Sequence, residues 1–384
     1  MAHRDDAEPL RDPRIAVTRA TMADGRELIY FDDAGTALPA ERAADARDLP
    51  PRPPTAELRR DPLTGEWVSV ASARQTRVML PPAHLDPLAP QSPGNESEIP
   101  SVYDVVVFEN RSPSFGPDAA EADGPDRPQG DRTAQTARAV GRCEVVCFAP
   151  VHEGSFGTLG TTRARTVIEA WAHRTAELRT LSGVRQVFPF ENRGEAIGVT
   201  LHHPHGQIYA YPYVTPRTER VLASVRDHGS TLFADILDRE AAGPRVVASG
   251  DHWTAFVPFA ARWPIELHVL PHRGVPDFAE TTLAERDELA VLYPRLLRAV
   301  DALYDSPTPY ISAWHQAPTG VPNVRLMAQV TSPRRAADKL KYVAGSEAAM
   351  GAWVADVVPE EAAARLREAY ERVADASSTR GSDQ

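Results

Sequence analysis

Two similar segments, 147–178 and 268–297, constrain the possible folds of this chain more than any other feature. The first reads CFAPVHEGSFGTLGTTRARTVIEAWAHRTAEL and the second reads HVLPHRGVPDFAETTLAERDELAVLYPRLL. In each, a strand-like run leads through a proline and a histidine into a loop, two threonines and an amphipathic helix. Roughly fifty residues after these histidines stand HPHGQ, 203–207, and RLMAQ, 325–329. The pattern predicts two copies of one strand-helix unit, of which only the first kept its histidines.

Strand-like and helical stretches arrive in groups along the chain. Short apolar runs predict strands, and apolar positions that recur every three to four residues predict helices. Because helices come between groups of strands, we expect an α+β fold with largely antiparallel sheets. The predicted strands are 66–71, 103–108, 144–148, 185–190, 207–214, 253–258, 265–270 and 309–314, and the predicted helices are 163–181, 217–242, 283–304 and 359–374.

Length and composition suggest the domain boundaries. The chain of 384 residues is long enough for two domains. We expect a polar lead-in over 1–57 that is frayed over its first 25 residues, an N-terminal unit over 58–215, a C-terminal unit over 216–372 and a disordered tail over 373–384. Residues 116–138 are acidic, rich in proline and glycine and without periodicity, which predicts a surface insertion.

Charge and apolar patterning disfavour several classes of function. The net charge of −11, from 42 basic and 53 acidic residues, disfavours binding to nucleic acid. An anionic substrate would therefore need a local basic pocket. No apolar run is long enough to span a membrane, and the N-terminus has no apolar signal region. Cys143 and Cys147 lie in one apolar run, and we expect them to be core thiols of a cytoplasmic protein.

The hexapeptide HHPHGQ, 202–207, holds three of the twelve histidines. On a strand, His203, His205 and Gln207 share one face, because side chains alternate between faces. Pro204 and Gly206 are poor residues for a strand interior, which favours a strand end or a sheet edge where a ligand can approach. The alternative is that these histidines are surface residues or hydrogen-bonded core groups without a function.

This trio suits phosphoryl chemistry. A neutral imidazole is a competent nucleophile near neutral pH, and a covalent intermediate divides one substitution into two. The other ring nitrogen must be held by an acceptor, for which a nearby backbone carbonyl would serve. A glutamine amide can then stabilise charge on the phosphoryl oxygens without a titrating proton.

Several segments, in the same order, resemble the galactose-1-phosphate uridylyltransferase family of the histidine-triad superfamily, over roughly residues 58–370. The resemblance implies a duplicated histidine-triad-like unit with a mostly antiparallel half-barrel sheet and packed helices. The glutamine after HPHG is typical of the transferase branch. The segments are RRDPLTGEWVSVASARQTR, YDVVVFEN, CFAPVH, FENRGEAIGVTLHHPHGQIYA, FAARWPIELHVLPHR, AWHQAP and KLKYVAGSE.

The resemblance also implies an activity and a set of site residues. His205 would attack the α-phosphorus of UDP-glucose and release glucose 1-phosphate, and galactose 1-phosphate would then take the uridylyl group to give UDP-galactose. Gln207 would bind a phosphoryl oxygen, and His203 belongs to the same catalytic group. The implied substrate-binding residues are Arg74, Arg77, Leu88, Asn110, Asn192 and Thr200.

Lys341, Val343 and Glu347 match a sugar-binding segment that, in the family, reaches the active site of the partner subunit. The resemblance therefore implies a homodimer.

The expected metal sites are depleted. Many relatives hold zinc with a Cys-x-x-Cys pair, one histidine and the first histidine of HPHGQ. Here the pair reads Asp86-Pro87-Leu88-Ala89, so His152 and His203 remain, and with Asp86 they could hold only a weak ion because a closed zinc site wants four ligands.

A second metal, held in some relatives by one glutamate and three histidines, is expected to be absent. Of its ligands His315 is preserved, whereas Met327 and Gln329 replace two histidines and the glutamate falls near Val221.

Two other functions stay open. A relative that transfers adenylyl groups, such as an ADP-sugar or dinucleoside-polyphosphate phosphorylase, would keep the chemistry and change the substrates. A non-catalytic nucleotide-binding remnant would explain the depleted metal positions, although the retention of His205 with Gln207 argues against it.

Overall fold

The computed structural model describes residues 11–52, 56–71, 80–116 and 128–380, with the backbone alone over 375–380. The strands in these ranges are β1 Ala16–Thr21, β2 Glu27–Asp32, β3 Glu57–Arg60, β4 Trp67–Val70, β5 Val105–Glu109, β6 Thr136–Arg138, β7 Arg142–Cys147, β8 Gln186–Arg193, β9 His205–Tyr211, β10 Val246–Ser249, β11 Trp253–Phe256, β12 Ile265–Pro271, β13 Tyr310–His315, β14 Met327–Ser332, β15 Arg334–Ala336 and β16 Lys339–Leu340. The helices are α1 Thr161–Leu178, α2 Pro216–His228, α3 Leu232–Ala241, α4 Leu283–Asp301, α5 Gly345–Met350 and α6 Pro359–Arg380.

Eleven of these strands form one large antiparallel sheet. Their order is β1-β2-β5-β7-β9-β8-β13-β14-β12-β11-β10. In the described part of the chain this sheet stays open, with β1 and β10 at its edges, while β4-β3-β6 and β15-β16 form two small sheets. The predicted α+β fold with largely antiparallel sheets is confirmed.

The repeat seen in the sequence is a repeat in space. Strands β5, β7, β8 and β9 with α1 form the first copy, and β11, β12, β13 and β14 with α4 form the second. Across the sheet, the strands of the second copy follow the reverse order of their counterparts in the first copy. The two copies meet where β8 pairs with β13, with Phe190 opposite Ala313. Because both copies share one sheet, the domain boundary at 215 and 216 stays a prediction.

Helices cover one face of the sheet and leave β9 half-exposed on the other. Helices α1, α4 and α6 bury a continuous core that includes Trp171, Tyr293 and Trp314. Residues of β9 alternate between the faces, so that Ile208 joins this core while His205 is only partly covered. A pleated strand places every second side chain on the same face, so His205, Gln207 and the two tyrosines that follow face away from the core.

The prediction that residues 1–25 are frayed was wrong for 16–21, which form β1, and β2 within the polar lead-in was not predicted. Strands β1 and β2 pair in register and join the main sheet through β5. The polar composition misled because charged side chains here are paired and buried: Arg26 is 1% exposed and contacts the carboxylates of Asp24 and Glu98. A buried arginine is tolerated when its donors meet such partners.

Two helix predictions also need correction. The predicted helix over 217–242 is two helices, α2 and α3, because Gly229 follows α2 with a φ of +108°, a conformation that favours glycine. The tail predicted to be disordered from residue 373 continues as helix to Arg380 in α6. Within the predicted insertion over 116–138, residues 117–127 lie outside the described residues, and β6 pairs with β3.

Cys143 and Cys147 are both buried, as predicted. Among the described residues, no helix combines the length and the apolar character needed to cross a membrane.

Candidate functional site

His205 opens strand β9 at the centre of the first copy. It lies opposite Cys147 of β7, and Pro204 before it accepts a hydrogen bond from the Phe148 N–H at 2.9 Å. Gly206 allows the neighbouring chains to come this close, because a Cβ there would stand 2.8 Å from both the Phe148 ring and the Phe190 carbonyl oxygen. The glycine in HPHGQ is therefore required by packing.

The His205 ring has a defined tautomer. Its Nδ1 lies 2.7 Å from the carbonyl oxygen of His203, and a carbonyl only accepts, so Nδ1 carries the proton and donates it. Nε2 is then the unprotonated nitrogen of the neutral ring. The surrounding protein solvates the charged form less well than water does, and this burial lowers the pKa of His205 below its ordinary value. The ring is thus held neutral with one nucleophilic nitrogen.

Two pockets meet at His205. The first, which we call the Leu88 pocket, has a volume of about 330 Å³. It gathers five of the residues singled out in the sequence: Leu88, Asn110, Thr200, His205 and Gln207. Apolar and polar groups of this kind suit a small ligand with one flat apolar face and several polar edges.

The second pocket, which we call the Arg334 pocket, has a volume of about 460 Å³ and is also lined by His205. It contains Asn192 and His203 from the predicted set, together with Arg193 and Arg334. Arg193 pairs with Asp301, whereas Arg334 donates to the carbonyl and hydroxyl oxygens of Ser306 at 3.0 and 2.8 Å. These two oxygens are uncharged, so they do not neutralise the positive charge of the Arg334 guanidinium.

Of the five remaining predicted substrate residues, two are not described by the structure and three lie outside both pockets. Arg74 and Arg77 fall outside the described residues. The Lys341 ammonium donates to the Arg262 carbonyl at 2.8 Å and lies 3.5 Å from the Glu347 carboxylate, and Val343 follows on an exposed segment. These three residues line neither pocket. Their roles stay predictions.

Asp86 joins the two histidines of the depleted zinc position. Its Oδ2 accepts hydrogen bonds from Nδ1 of His203 at 2.7 Å and from Nδ1 of His152 at 2.9 Å. Its Oδ1 accepts from the Leu88 N–H at 2.9 Å. Burial on its own would raise the pKa of Asp86, but the hydrogen bonds from His203 and His152 outweigh it and lower the pKa to about 2.

Hydrogen bonds also join the residues at the second metal position that the resemblance implies. Nε2 of His315 lies 3.1 Å from Oε1 of Gln329, and Nε2 of Gln329 donates to Glu266 at 2.6 Å. Burial, with the nearby charge of Arg217, lowers the pKa of His315 to about 3, so the ring is neutral. The amide of Gln329 is therefore engaged at both ends.

Three residues near His205 were missed in the sequence. Tyr103 places its hydroxyl 2.8 Å from Nε2 of His203, and Arg334 enters from β15, far along the chain. Glu191 lines the Arg334 pocket and accepts from the Phe156 N–H and the Tyr310 hydroxyl, each at 3.0 Å. Burial raises the pKa of Glu191 to about 7. In the sequence, Glu191 is indicated only by its position next to Asn192, which the family resemblance singles out.

The chain superposes on solved structures of two enzymes. A uridylyltransferase aligns with a TM-score of 0.74 at 32% identity, covering 82% of this chain and 99% of that chain. An ADP-glucose phosphorylase from Arabidopsis thaliana aligns with a TM-score of 0.61 at 22% identity, covering 82% and 98%, which shows a shared fold alone. The similarity to the uridylyltransferase, at 32% identity over nearly the whole of that chain, places this protein among the nucleotidyltransferases.

Family comparisons narrow this class. The model of the galactose-1-phosphate uridyl transferase N-terminal domain matches residues 52–215, and that of its C-terminal domain matches 219–378. The galactose-1-phosphate uridylyltransferase of Streptomyces lividans is 43% identical over 367 residues, covering 91% of this chain and 97% of the relative. The chain belongs to the galactose-1-phosphate uridylyltransferase family.

Proposed function

We propose that this protein exchanges UMP between UDP-glucose and galactose 1-phosphate through a uridylyl group carried on His205. The observation that carries the proposal is the hydrogen bond from Nδ1 of His205 to the His203 carbonyl at 2.7 Å. It leaves Nε2 with its lone pair in a ring that lines both pockets. A nucleophile between two pockets can receive a group from one substrate and pass it to another.

The first half-reaction forms one bond and breaks one. Nε2 of His205 attacks the α-phosphorus of UDP-glucose, the N–P bond forms, and the P–O bond to glucose 1-phosphate breaks with its electron pair on the leaving oxygen. The ring becomes positively charged while Nδ1 keeps its proton and donates a hydrogen bond to the His203 carbonyl. Donation from Nδ1 stabilises this charge at the moment it develops.

The second half-reaction reverses these steps with a different acceptor. A phosphate oxygen of galactose 1-phosphate attacks the phosphorus, the N–P electron pair returns to Nε2, and UDP-galactose leaves. Atoms and charge balance without a proton donor or a metal-bound group. The amide of Gln207, two residues along β9, would donate to the phosphoryl oxygens in both halves.

The two pockets support a division of the substrate. We assign the uridine to the Leu88 pocket, where Leu88, Asn110 and Thr200 provide one apolar and two polar contacts. We assign the sugar phosphate to the Arg334 pocket, where Asn192 and Arg334 provide an amide and a cation. Among the described residues, the Nε of Arg334 is buried without a hydrogen-bond partner, which favours a phosphate ligand there.

We also propose that the protein is a homodimer. Lys341, Val343 and Glu347 line neither pocket of their own chain, so a role in sugar binding requires a partner's pocket. The segment that carries them exposes Tyr342 by 76% and Met350 by 80%. Large apolar side chains exposed together are typical of an interaction surface. Sedimentation of the full chain tests this, and a monomer at working concentrations would contradict it.

Intact-mass measurement after mixing with UDP-glucose tests the proposed activity. We expect an acid-labile gain of one uridylyl group per chain that His205→Gly abolishes. His228→Asn, an exposed histidine on α2 that contacts Asp235, is the matched control and should keep the adduct. Loss of the adduct in His228→Asn, or its persistence in His205→Gly, would contradict the assignment.

The same measurement separates the alternatives. An adduct from ADP-glucose and none from UDP-glucose would assign the chain to adenylyl transfer. No adduct from either sugar nucleotide would support a non-catalytic nucleotide-binding protein.

A further inference from the structure

The depleted zinc position does not fit a metal ion. A closed zinc site needs four ligands, and the two thiolates of the relatives are replaced by Asp86 and Ala89. The two remaining imidazoles would each have to offer a lone pair. In this structure Nδ1 of His152 and Nδ1 of His203 instead direct protons at one carboxylate oxygen, Oδ2 of Asp86, at 2.9 and 2.7 Å. That oxygen fills the position between the rings which an ion would need.

We infer that Asp86 takes over the structural role of the metal and acts as a positioning residue for His205. Its carboxylate connects three separate segments: its own loop, the loop that carries His152 and the turn that carries His203. Asp86 is 1% exposed and His203 is 2% exposed, so water does not compete strongly for these hydrogen bonds. A charge-assisted hydrogen bond in such surroundings is stronger than one at the surface.

The connection reaches the nucleophile in two steps. Asp86 holds Nδ1 of His203, while Nε2 of the same ring lies 2.8 Å from both the Tyr103 hydroxyl and the Ala149 carbonyl. The ring is thereby fixed at both nitrogens. The backbone carbonyl of His203 in turn accepts a hydrogen bond from Nδ1 of His205 at 2.7 Å. If the His203 ring were released, its backbone carbonyl would no longer be held in place. The proton of His205 would then no longer be confined to Nδ1.

Asp86 also supports the wall of the Leu88 pocket. Its Oδ1 accepts from the Leu88 N–H at 2.9 Å, and its backbone carbonyl accepts from the Asn95 amide at 2.9 Å. The two carboxylate oxygens therefore have different tasks, because Oδ1 orders the pocket and Oδ2 orders the histidines. An asparagine can keep the first task through its oxygen but offers an N–H donor in place of the second acceptor.

Metal content and chelation provide the first test, which is independent of catalysis. We expect the purified full chain to hold well below one equivalent of zinc, and its melting temperature to be unchanged by EDTA. One tightly bound zinc per chain, whose removal lowers the melting temperature and abolishes the His152 and His203 proton signals, would overturn the inference.

The second test compares Asp86→Asn with Asp277→Asn. Asp277 is a buried carboxylate that contacts Arg179 and caps a turn by accepting from the Glu280 N–H, away from both pockets, so it is the matched control. The kinetic part rests on the proposed function. We expect Asp86→Asn to slow uridylylation of His205 by about 10–100-fold while KM for UDP-glucose changes by less than about twofold, since Oδ1 still serves Leu88. Asp277→Asn should leave the rate unchanged below its melting temperature.

Histidine NMR completes the second test without relying on activity. In ¹⁵N-histidine-labelled protein we expect His205 to be protonated at Nδ1 alone in the wild type and to become a mixture of tautomers in Asp86→Asn. An unchanged tautomer together with an unchanged rate would overturn the inference. If the wild type forms no uridylyl adduct, the proposed function fails, while metal content and histidine signals still decide the role of Asp86.

The third test restores the missing ligands through the double substitution Asp86→Cys and Ala89→Cys. If Oδ2 of Asp86 stands where an ion would bind, the double variant should bind one zinc per chain and become sensitive to EDTA in its melting temperature. The single substitution Asp86→Ala should gain no zinc and should melt below the wild type. A double variant that binds no zinc would mean that the two histidines do not share such a position, and would overturn the inference.

Discussion

The two copies of the strand-helix unit place the same residue type in opposite surroundings. Gln207 in the first copy and Gln329 in the second occupy equivalent positions, two residues beyond His205 and Met327. The cross-strand neighbours of Gln207 are the apolar Val145 and Phe190. Gln329 instead lies opposite His268 and Ala313 and bonds to His315 and Glu266.

The difference lies in what surrounds the amide. Apolar neighbours leave the Gln207 amide to face the Leu88 pocket, whereas polar neighbours engage both ends of the Gln329 amide. On the proposed function, the duplicated scaffold serves a reaction site in one copy and a structural hydrogen-bond chain in the other. Four sets of substitutions test this comparison.

The largest effect on activity is expected at the first residue of β9, His205, which is compared with the first residue of β14, Met327. We expect His205→Asn to lower exchange activity by at least about a thousandfold, because on the proposed mechanism Nε2 of His205 forms the covalent intermediate. Met327→His should gain no adduct, since Met327 packs against the buried cluster of Leu237, Phe256 and Leu270. Steady-state assays and intact mass measure both. An adduct on Met327→His would show that the second copy keeps a competent site.

The glutamine pair should separate catalysis from stability. Gln207→Ala is expected to lower kcat by about 10²–10³-fold with little change in the free energy of unfolding, since on the proposed mechanism its amide donates to the phosphoryl oxygens. Gln329→Ala should leave kcat unchanged and lower the free energy of unfolding by about 1–3 kcal/mol, because Glu266 and His315 lose partners in the interior. Urea titration measures the free energy of unfolding, and initial rates measure kcat. A loss of kcat in Gln329→Ala together with a loss of stability alone in Gln207→Ala would place the reaction site in the second copy.

Arg334 tests whether the second copy contributes to the first site. It follows β14 and lines the pocket beside His205. On the proposed division of the substrate, Arg334→Met should raise KM for galactose 1-phosphate by about tenfold and should also slow the first half-reaction, because the same cation would meet the phosphate of the leaving glucose 1-phosphate. Arg335→Met, whose arginine pairs with Asp356 at the surface, is the control. Equal KM values for the two variants would remove Arg334 from the sugar-phosphate site.

The smallest effect concerns Glu191, which stands where the second copy has Trp314. The folded pKa of about 7 lies above the ordinary value of 4.5, so the folded state retains a proton that the unfolded state loses. The stability that this group contributes is complete below pH 4.5 and is lost as the pH rises through 7.

We therefore expect Glu191→Gln to gain stability relative to the wild type between pH 5 and pH 8, by on the order of 1 kcal/mol. Thermal melts at several pH values measure the difference. A difference that stays constant with pH would mean that Glu191 does not titrate in this range.

Local patterns in the sequence carried part of the architecture. The paired segments at 147–178 and 268–297 predicted the duplication. The alternation in HHPHGQ predicted that His203, His205 and Gln207 share one face of a strand, which holds for His205 and Gln207 on β9, whereas His203 is buried and lies before the strand begins. Strands β1 and β2 were missed, because composition does not reveal that Arg26 meets Asp24 and Glu98 in the interior. A hydrogen-bond network between distant residues has no signature in a single local window.

The candidate site shows the same limit. The positions of Leu88, Asn110 and Thr200 came from family resemblance, and no periodicity indicated that they would line one pocket. Asp86 forms hydrogen bonds with histidines that are 66 and 117 residues away in the chain. These hydrogen bonds depend on how the loops pack over the sheet. Arg334 reaches its pocket only because β13 pairs with β8 and brings the end of the second copy beside the first.

The junction of β8 with β13 also decides how this molecule can be divided. Cutting the chain between the copies would expose two long unpaired edges, each a template for association with other chains. Fragments that end and begin near residue 215 are therefore expected to be insoluble when produced separately. Produced together, they should recombine through that same pair of edges, which makes the two halves a basis for a complementation reporter.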